Sequence, residues 1–162
     1  MDTIIKLNIG CGDQILEGYI NVDLYDPKAA VKADARELPH PDSSVDEILA
    51  SHVIEHFDFH EGHRVLREWY RVLKPGGRLM IETPDMVASC RKFVEIPEEQ
   101  RVELYGHFFS TPWIPGQEHK FLFTESQLVG TLQSVGFKIV ARVPADRYPE
   151  KADINMKFIC EK

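Results

Sequence analysis

The stretch Ile4 to Leu24, IIKLNIGCGDQILEGYINVDL, decides how this chain folds. Ile4 to Ile9 is a short run rich in β-branched residues, ended by Gly10-Cys11-Gly12, and reads as a buried strand running into a glycine turn. After Gly18, Tyr19 to Leu24 is a second such run with Asp23 near its end. Glycine at a strand end is often no more than a residue free to take a positive φ. Here an acid closes the next strand, and open parallel sheets bind ligands outside the carboxyl ends of their strands, where an acidic side chain can grip a ribose diol. Gly10, Gly12 and Asp23 fit that arrangement. The nicotinamide dinucleotide pattern does not fit: its third glycine is replaced by Ile15, and the acid follows Gly12 by 11 residues instead of about 20. From Gly10 to Tyr19, where the second run begins, is only ten residues. That is close to the minimum for a right-handed crossover, so the first helix is expected to be short or missing.

Further along, Ala29 to Ala33 is a third run closed by Asp34, Val45 to Ser51 a fourth, and Arg78 to Thr83 a fifth, set between Pro75-Gly76-Gly77 and Pro84. Phe59 to Lys74 places Val65, Leu66, Trp69, Val72 and Leu73 at helical spacing and stops at Pro75-Gly76. Helices are also expected over Asp85 to Phe93, over Pro97 to Tyr105, and over Thr124 to Val135, where Thr124 is the N-cap and Gly136 the stop. Phe137 to Val143 and Asn155 to Cys160 read as the last two strands, joined by the charged, proline-containing Pro144 to Asp153. Strands alternating with helices imply a parallel sheet covered on both faces, and a terminal strand pair joined without a helix implies an antiparallel edge.

The 162 residues suffice for one domain, expected to span 1–162, and 43% hydrophobic, 28% charged and 10% aromatic residues are ordinary globular values. A formal charge of −7 has the wrong sign for broad nucleic-acid binding. Cys11, Cys90 and Cys160 are too few and too scattered for a disulfide framework or a Cys-x-x-Cys metal pair. No signal-like segment and no apolar run of membrane-spanning length occurs, so a soluble, cytoplasmic protein without membrane partners is expected.

Five strings in order, LNIGCG (Leu7 to Gly12), GYINVDL (Gly18 to Leu24), KADARELPHPDSSVDEILASHVIEHF (Lys32 to Phe57), LREWYRVLKPGGRLMIETPD (Leu66 to Asp85) and FTESQLVGTLQSVGFKIV (Phe123 to Val140), resemble the class I S-adenosylmethionine-dependent methyltransferases, most closely the small type 11 group. The resemblance implies a Rossmann-like, doubly wound, mostly parallel sheet of seven strands with an antiparallel edge strand, in a three-layer α/β sandwich. It also implies S-adenosylmethionine as cofactor and S-adenosylhomocysteine as product. Gly10, Cys11 and Gly12 would run along the cofactor's amino acid and ribose, Asp23 would accept the ribose hydroxyls, and Leu24 would pack on the adenine. Asp34 would take the adenine amino group, Ala35 would offer its backbone N–H to a ring nitrogen, and Ser51 and His52 would border the methionine part and the methyl. The acceptor is expected to be a small molecule or saccharide, methylated on oxygen or nitrogen. The N-terminal helices that often cover the cofactor in this superfamily are absent, so an open site or cover from a second subunit in a homodimer is expected. A non-catalytic cofactor-binding or partner-binding module is the alternative, and a protein methyltransferase a weaker one.

His52-Val53-Ile54-Glu55-His56 matches H-x-x-E-H, the inverted zincin pattern. That reading needs a long helix and a third ligand, whereas His52 directly follows a strand-like run, so no metal is expected. A hydroxyl acceptor requires a base, and His52, Asp85 and His119 are the candidates, with His119 first. Gly106 to Phe123 (GHFFSTPWIPGQEHKFLF) is dense in aromatics and histidines but broken by Pro112, Pro115 and Gly116. It reads as a substrate-covering loop in which His107, Trp113 and His119 would meet the acceptor.

Overall fold

A computed structural model describes residues 3–111, 113–114 and 116–162. Its strands are β1 (Lys6–Ile9), β2 (Ile20–Asp23), β3 (Val31–Lys32), β4 (Val45–Ser51), β5 (Leu73–Pro84), β6 (Lys138–Val143) and β7 (Asn155–Glu161). The helices are α1 (Phe59–Val72), α2 (Met86–Glu95), α3 (Val102–Phe109) and α4 (Glu125–Val135). The strands form one sheet in the order β3-β2-β1-β4-β5-β7-β6, with β7 antiparallel to both neighbours and the remaining pairs parallel. This is the seven-stranded, mostly parallel sheet with an antiparallel edge that the sequence led us to expect. No helix of the described residues is long and apolar enough to cross a membrane.

α1 forms because Asp58 caps it, accepting from the His60 and Glu61 N–H groups, and because Val65, Leu66, Trp69 and Val72 make one buried stripe. The Trp69 indole N–H reaches the Ala35 carbonyl at 3.1 Å, which fixes the loop after β3 over the helix. α4 carries a capping box between Thr124 and Gln127 and ends on Gly136. Both helices bury their apolar sides against Leu7, Ile9, Ile48, Ala50, Leu79, Ile81 and Phe158, the inward residues of the central strands.

Three boundaries depart from the sequence reading. α1 stops at Val72, and Leu73 already pairs with Val45, so Pro75-Gly76-Gly77 lies inside β5, next to a register shift between Val45 and Glu47. β3 is only two residues long. The helix expected over Pro97 to Tyr105 begins at Val102. Glu98–Gln100 winds a single 3-10 turn that buries nothing, and an apolar side appears only with Leu104.

The first crossover contains no helix. Its place is taken by a loop pinned to polar positions on β1 and β2. Asn21 Oδ1 accepts from Asn8 Nδ2 and from the Leu16 N–H, while Asn21 Nδ2 donates to the Leu16 and Tyr19 carbonyls. Asn8 Nδ2 also donates to the Gln14 carbonyl. Lower on the same side, Lys6, Glu47, Arg78 and Glu161 stand in register on four adjacent strands, and Lys6 and Glu47 pair at 3.3 Å. Alternating charges let this part of a largely parallel sheet remain solvated.

Asn21→Ala removes one partner from Asn8 and from the Leu16 backbone. We expect a loss of about 2 kcal/mol, read as a lower urea midpoint with an unchanged m-value.

Candidate functional site

The chain runs from β1 outward to β3 and then returns to β4 on the other side of β1, so β1 and β4 flank the point where strand order reverses. A crevice must open at their carboxyl ends. A cavity of about 560 Å³ lies there, within the range of small-molecule sites. Gly10, at the end of β1, has φ +62°, and a Cβ added to it would meet Val53 Cγ2 at 2.4 Å. Only glycine allows that close approach. His52, just past β4, holds φ +56°, a strained value for a residue with a side chain.

Asp23 shapes the rim beside the glycine turn. Its Oδ2 accepts the Gly12 N–H at 3.0 Å, and its Oδ1 accepts those of Tyr25 and Asp26 at 2.7 and 2.9 Å. These three bonds leave lone-pair capacity on a carboxylate that can accept about four. Asp34 is more occupied: Arg36 grips it through Nε and Nη2 and holds its carboxyl below the usual range, while Arg36 Nη1 reaches Glu61 at 2.7 Å. Cys11 lies beneath the turn. Burial first, then Asp23 and Asp26, raise its pKa, so it remains a thiol.

On the β4 side sits a cluster of histidines and buried acids. His52 Nδ1 lies 2.9 Å from Glu55 Oε1, and its Nε2 lies 3.8 Å from Glu82 Oε1. Burial alone would depress the imidazole pKa, but the two carboxylates outweigh it, and His52 is held protonated. Glu55, fully buried, is kept ionised against its own desolvation chiefly by His52. Its Oε2 accepts the Thr83 hydroxyl at 3.0 Å.

His107 and His119 are neutral. Burial lowers the pKa of His107 to about 4, assisted by Lys151, and burial also lowers that of His119. His119 Nδ1 lies 2.9 Å from the His107 carbonyl and His56 Nδ1 lies 3.0 Å from the Glu118 carbonyl. A carbonyl can only accept, so both rings donate from Nδ1 and turn Nε2 away from that contact. His107 Nε2 meets Ser89 Oγ at 2.9 Å.

Most residues singled out in the sequence meet at this cavity. Gly10, Gly12, Asp23 and Leu24 line one side, Asp34 and Ala35 the next, and Ser51, His52, His107 and His119 the β4 side. Four are used differently. Asp85, only 7% exposed, caps α2 by accepting from the Val87 and Ala88 N–H groups and does not line the cavity. Trp113 is 80% exposed and also lies off the lining, while Cys11 packs below it. His52, expected as a base, already carries the proton. The loop expected from Gly106 begins as helix, since α3 runs to Phe109, and its Pro112 and Pro115 lie outside the described residues.

Sequence reading overlooked Arg147, Tyr148 and Lys151, which line the cavity from the β6–β7 connection. The Asp146 and Arg147 N–H groups donate to Glu82, and the Tyr148 ring sits 4.9 Å from His52. The charged composition of Pro144 to Asp153 was their only trace.

The chain has the fold of solved S-adenosylmethionine-dependent methyltransferases, and residues 19–81 match the family model described as a methyltransferase domain. A stretch of 57 residues is 42% identical to a Mycobacterium tuberculosis protein named as a probable S-adenosylmethionine-dependent methyltransferase, taking in 35% of this chain and 20% of that one. The match thus spans about a fifth of that curated relative's length. A methyltransferase structure of the same cofactor class from Methanosarcina mazei superposes with a TM-score of 0.66 at 21% identity, over 100% of this chain and 94% of that one. The Burkholderia thailandensis 1,6-didemethyltoxoflavin-N1-methyltransferase, solved with its substrate and S-adenosylhomocysteine, gives 0.66 at 17% identity, over 98% of this chain and 70% of that one.

Gly10→Ala tests the packing of the glycine turn. The unfavourable φ alone costs about 1–2 kcal/mol, and the Val53 contact adds to it. We expect a lower thermal midpoint that is partly restored by Val53→Ala in the same chain, because only the contact is relieved.

Proposed function

We propose that this chain binds S-adenosylmethionine in the cavity at the reversal point and transfers its methyl group to a small-molecule or saccharide acceptor. One observation carries the reading: Asp23 at the end of β2 and the glycine turn at the end of β1 bracket one side of a cavity whose other side is formed by Ser51 and His52 at the end of β4. The donor's ribose hydroxyls reach Asp23, its adenine reaches Leu24, Asp34 and Ala35, and its methionine part runs past Gly10 and Gly12 to Ser51. The methyl then faces the acceptor beside the histidines.

In the reaction a lone pair of the acceptor attacks the methyl carbon while the carbon–sulfur bond breaks, its electron pair going to sulfur. A hydroxyl acceptor also gives up a proton. The leaving group needs no activation, so the chain's work is alignment and proton removal. Acidic side chains near β2 suit a cationic sulfonium, and Arg147 and Lys151 on the β7 side suit an acceptor with an anionic group. His119 offers an unprotonated nitrogen to the acceptor, whereas His52 offers a charge.

Calorimetry with S-adenosylhomocysteine checks the donor half. The full chain binds it, and Asp23→Ala weakens binding by about 10- to 100-fold, the worth of hydrogen bonds to a charged group. Activity is read from a screen of hydroxyl- and amine-bearing acceptors with radiolabelled donor. For a hydroxyl acceptor, His119→Ala lowers turnover by on the order of 100-fold and leaves product affinity unchanged. The helix-free first crossover favours one second reading, a cofactor-binding module without turnover. Product binding with no methyl transfer to any acceptor in the screen would support that reading.

A further inference from the structure

The H-x-x-E-H string is not absorbed by the donor site. On a helix its two histidines would face the same way, but Ile54–His56 forms only one 3-10 turn after a strained His52. The string is therefore divided: His52 turns toward Glu55 and Glu82, and His56 turns the other way, toward the segment that carries His119. Glu55, His56 and His119 bring three ligand atoms within 4.8 Å of one another.

We propose that Glu55, His56 and His119 form a binding site for a divalent transition-metal ion of the zinc type, open toward the cavity. Four observations carry this. Two imidazoles and one carboxylate are a donor set that suits zinc and its first-row neighbours and does not suit magnesium or calcium. Each histidine donates from Nδ1 to a backbone carbonyl, Glu118 for His56 and His107 for His119, turning both Nε2 atoms away from that contact, the orientation that metal-binding histidines adopt. The ligands are held before any ion arrives: the Lys120 and Phe121 N–H groups both donate to the Glu55 carbonyl, at 2.8 and 3.2 Å, locking the residues after His119 to the 3-10 turn. Finally, Glu55 Oε1 is buried and accepts no well-directed hydrogen bond, having only the ion pair with His52. A buried oxygen of that kind calls for a partner.

Both histidines line the cavity, so the open coordination positions give onto it. On the methyltransferase reading this is the acceptor's side, and His119 would serve as ligand instead of base. The site itself stands on its own geometry, whatever the cavity binds.

The test uses the full chain after dialysis against a chelator. It is titrated with Zn²⁺ and with Co²⁺ and followed by equilibrium dialysis with metal analysis, by the visible absorption of Co²⁺ and by the thermal midpoint. We expect one equivalent bound with Kd below about 10 μM, near −7 kcal/mol, a raised midpoint, and no response to Mg²⁺. His56→Ala and His119→Ala each weaken binding by at least about 100-fold, as loss of a ligand should exceed loss of its supporting partner. His119→Asn, whose Nδ2 takes the place of the imidazole Nδ1 and can still donate to the His107 carbonyl, does the same without disturbing that contact. His63→Ala, on the far side of α1 against Ser134, leaves binding unchanged. Absence of stoichiometric binding overturns the proposal. So does binding that survives substitution of both His56 and His119. Because no readout depends on methyl transfer, failure here leaves the proposed function intact, and failure of the activity screen leaves the metal site intact.

Discussion

A buried ionised carboxylate, that of Glu55, is the constraint on which the active end of this molecule depends. Removing such a group from water costs several kcal/mol unless other groups replace its hydration. His52, charged because Glu55 and Glu82 both face it, and the Thr83 hydroxyl do so here. The attraction also helps to offset the strain of His52, whose φ is +56° and whose backbone N–H is held by the Glu82 carbonyl at 2.8 Å. The end of β4, β5 through Thr83 and Glu82, and the segment after His119 are thereby fixed relative to one another. A neutral isostere at Glu55 would leave an imidazolium short of one partner and the strained turn short of its support.

Much of this fold was legible in the sequence because its signals are local. Strand ends marked by glycine and aspartate, the α1 stripe of Val65, Leu66, Trp69 and Val72, and the Thr124 cap are each decided by a few neighbouring residues. The missing first helix followed from the arithmetic of Gly10 to Tyr19. What replaced it was not legible. Asn8 and Asn21 look like ordinary polar positions until β1 and β2 pair and bring their amides together. The PGG segment looked like a boundary, whereas Leu73 joins the sheet before it, because pairing with Val45 outweighs a local turn signal.

At the site, the rim residues Gly10, Gly12, Asp23 and Asp34 could be named in advance, since each sits at a strand end that the topology must bring together. The roles of the ionisable residues could not. Asp85 and His52 were both plausible bases by type and position, but one is used as a helix cap and the other is held protonated by the adjacent Glu55 together with Glu82, which only the pairing of β4 with β5 brings near. Arg147 and Lys151 reach the cavity only because Glu82, a β5 residue, accepts the N–H groups of the β6–β7 connection. A charge state depends on tertiary neighbours, and a one-dimensional pattern does not contain them.

The helix-poor half of the sheet has a consequence for specificity. Among the described residues the crossover from β1 to β2 holds no helix, and the cavity is walled by residues of two later segments, among them His107, His119 and Lys120 in the first and Arg147, Tyr148 and Lys151 in the second. The first is tied to the sheet's carboxyl end in part through the Glu55 backbone carbonyl, the second in part through the Glu82 carboxylate. His52 lies between those two glutamates. The two walls therefore meet the sheet on either side of one protonated ring. The β2 rim is held separately, by Asp23 and the glycine turn.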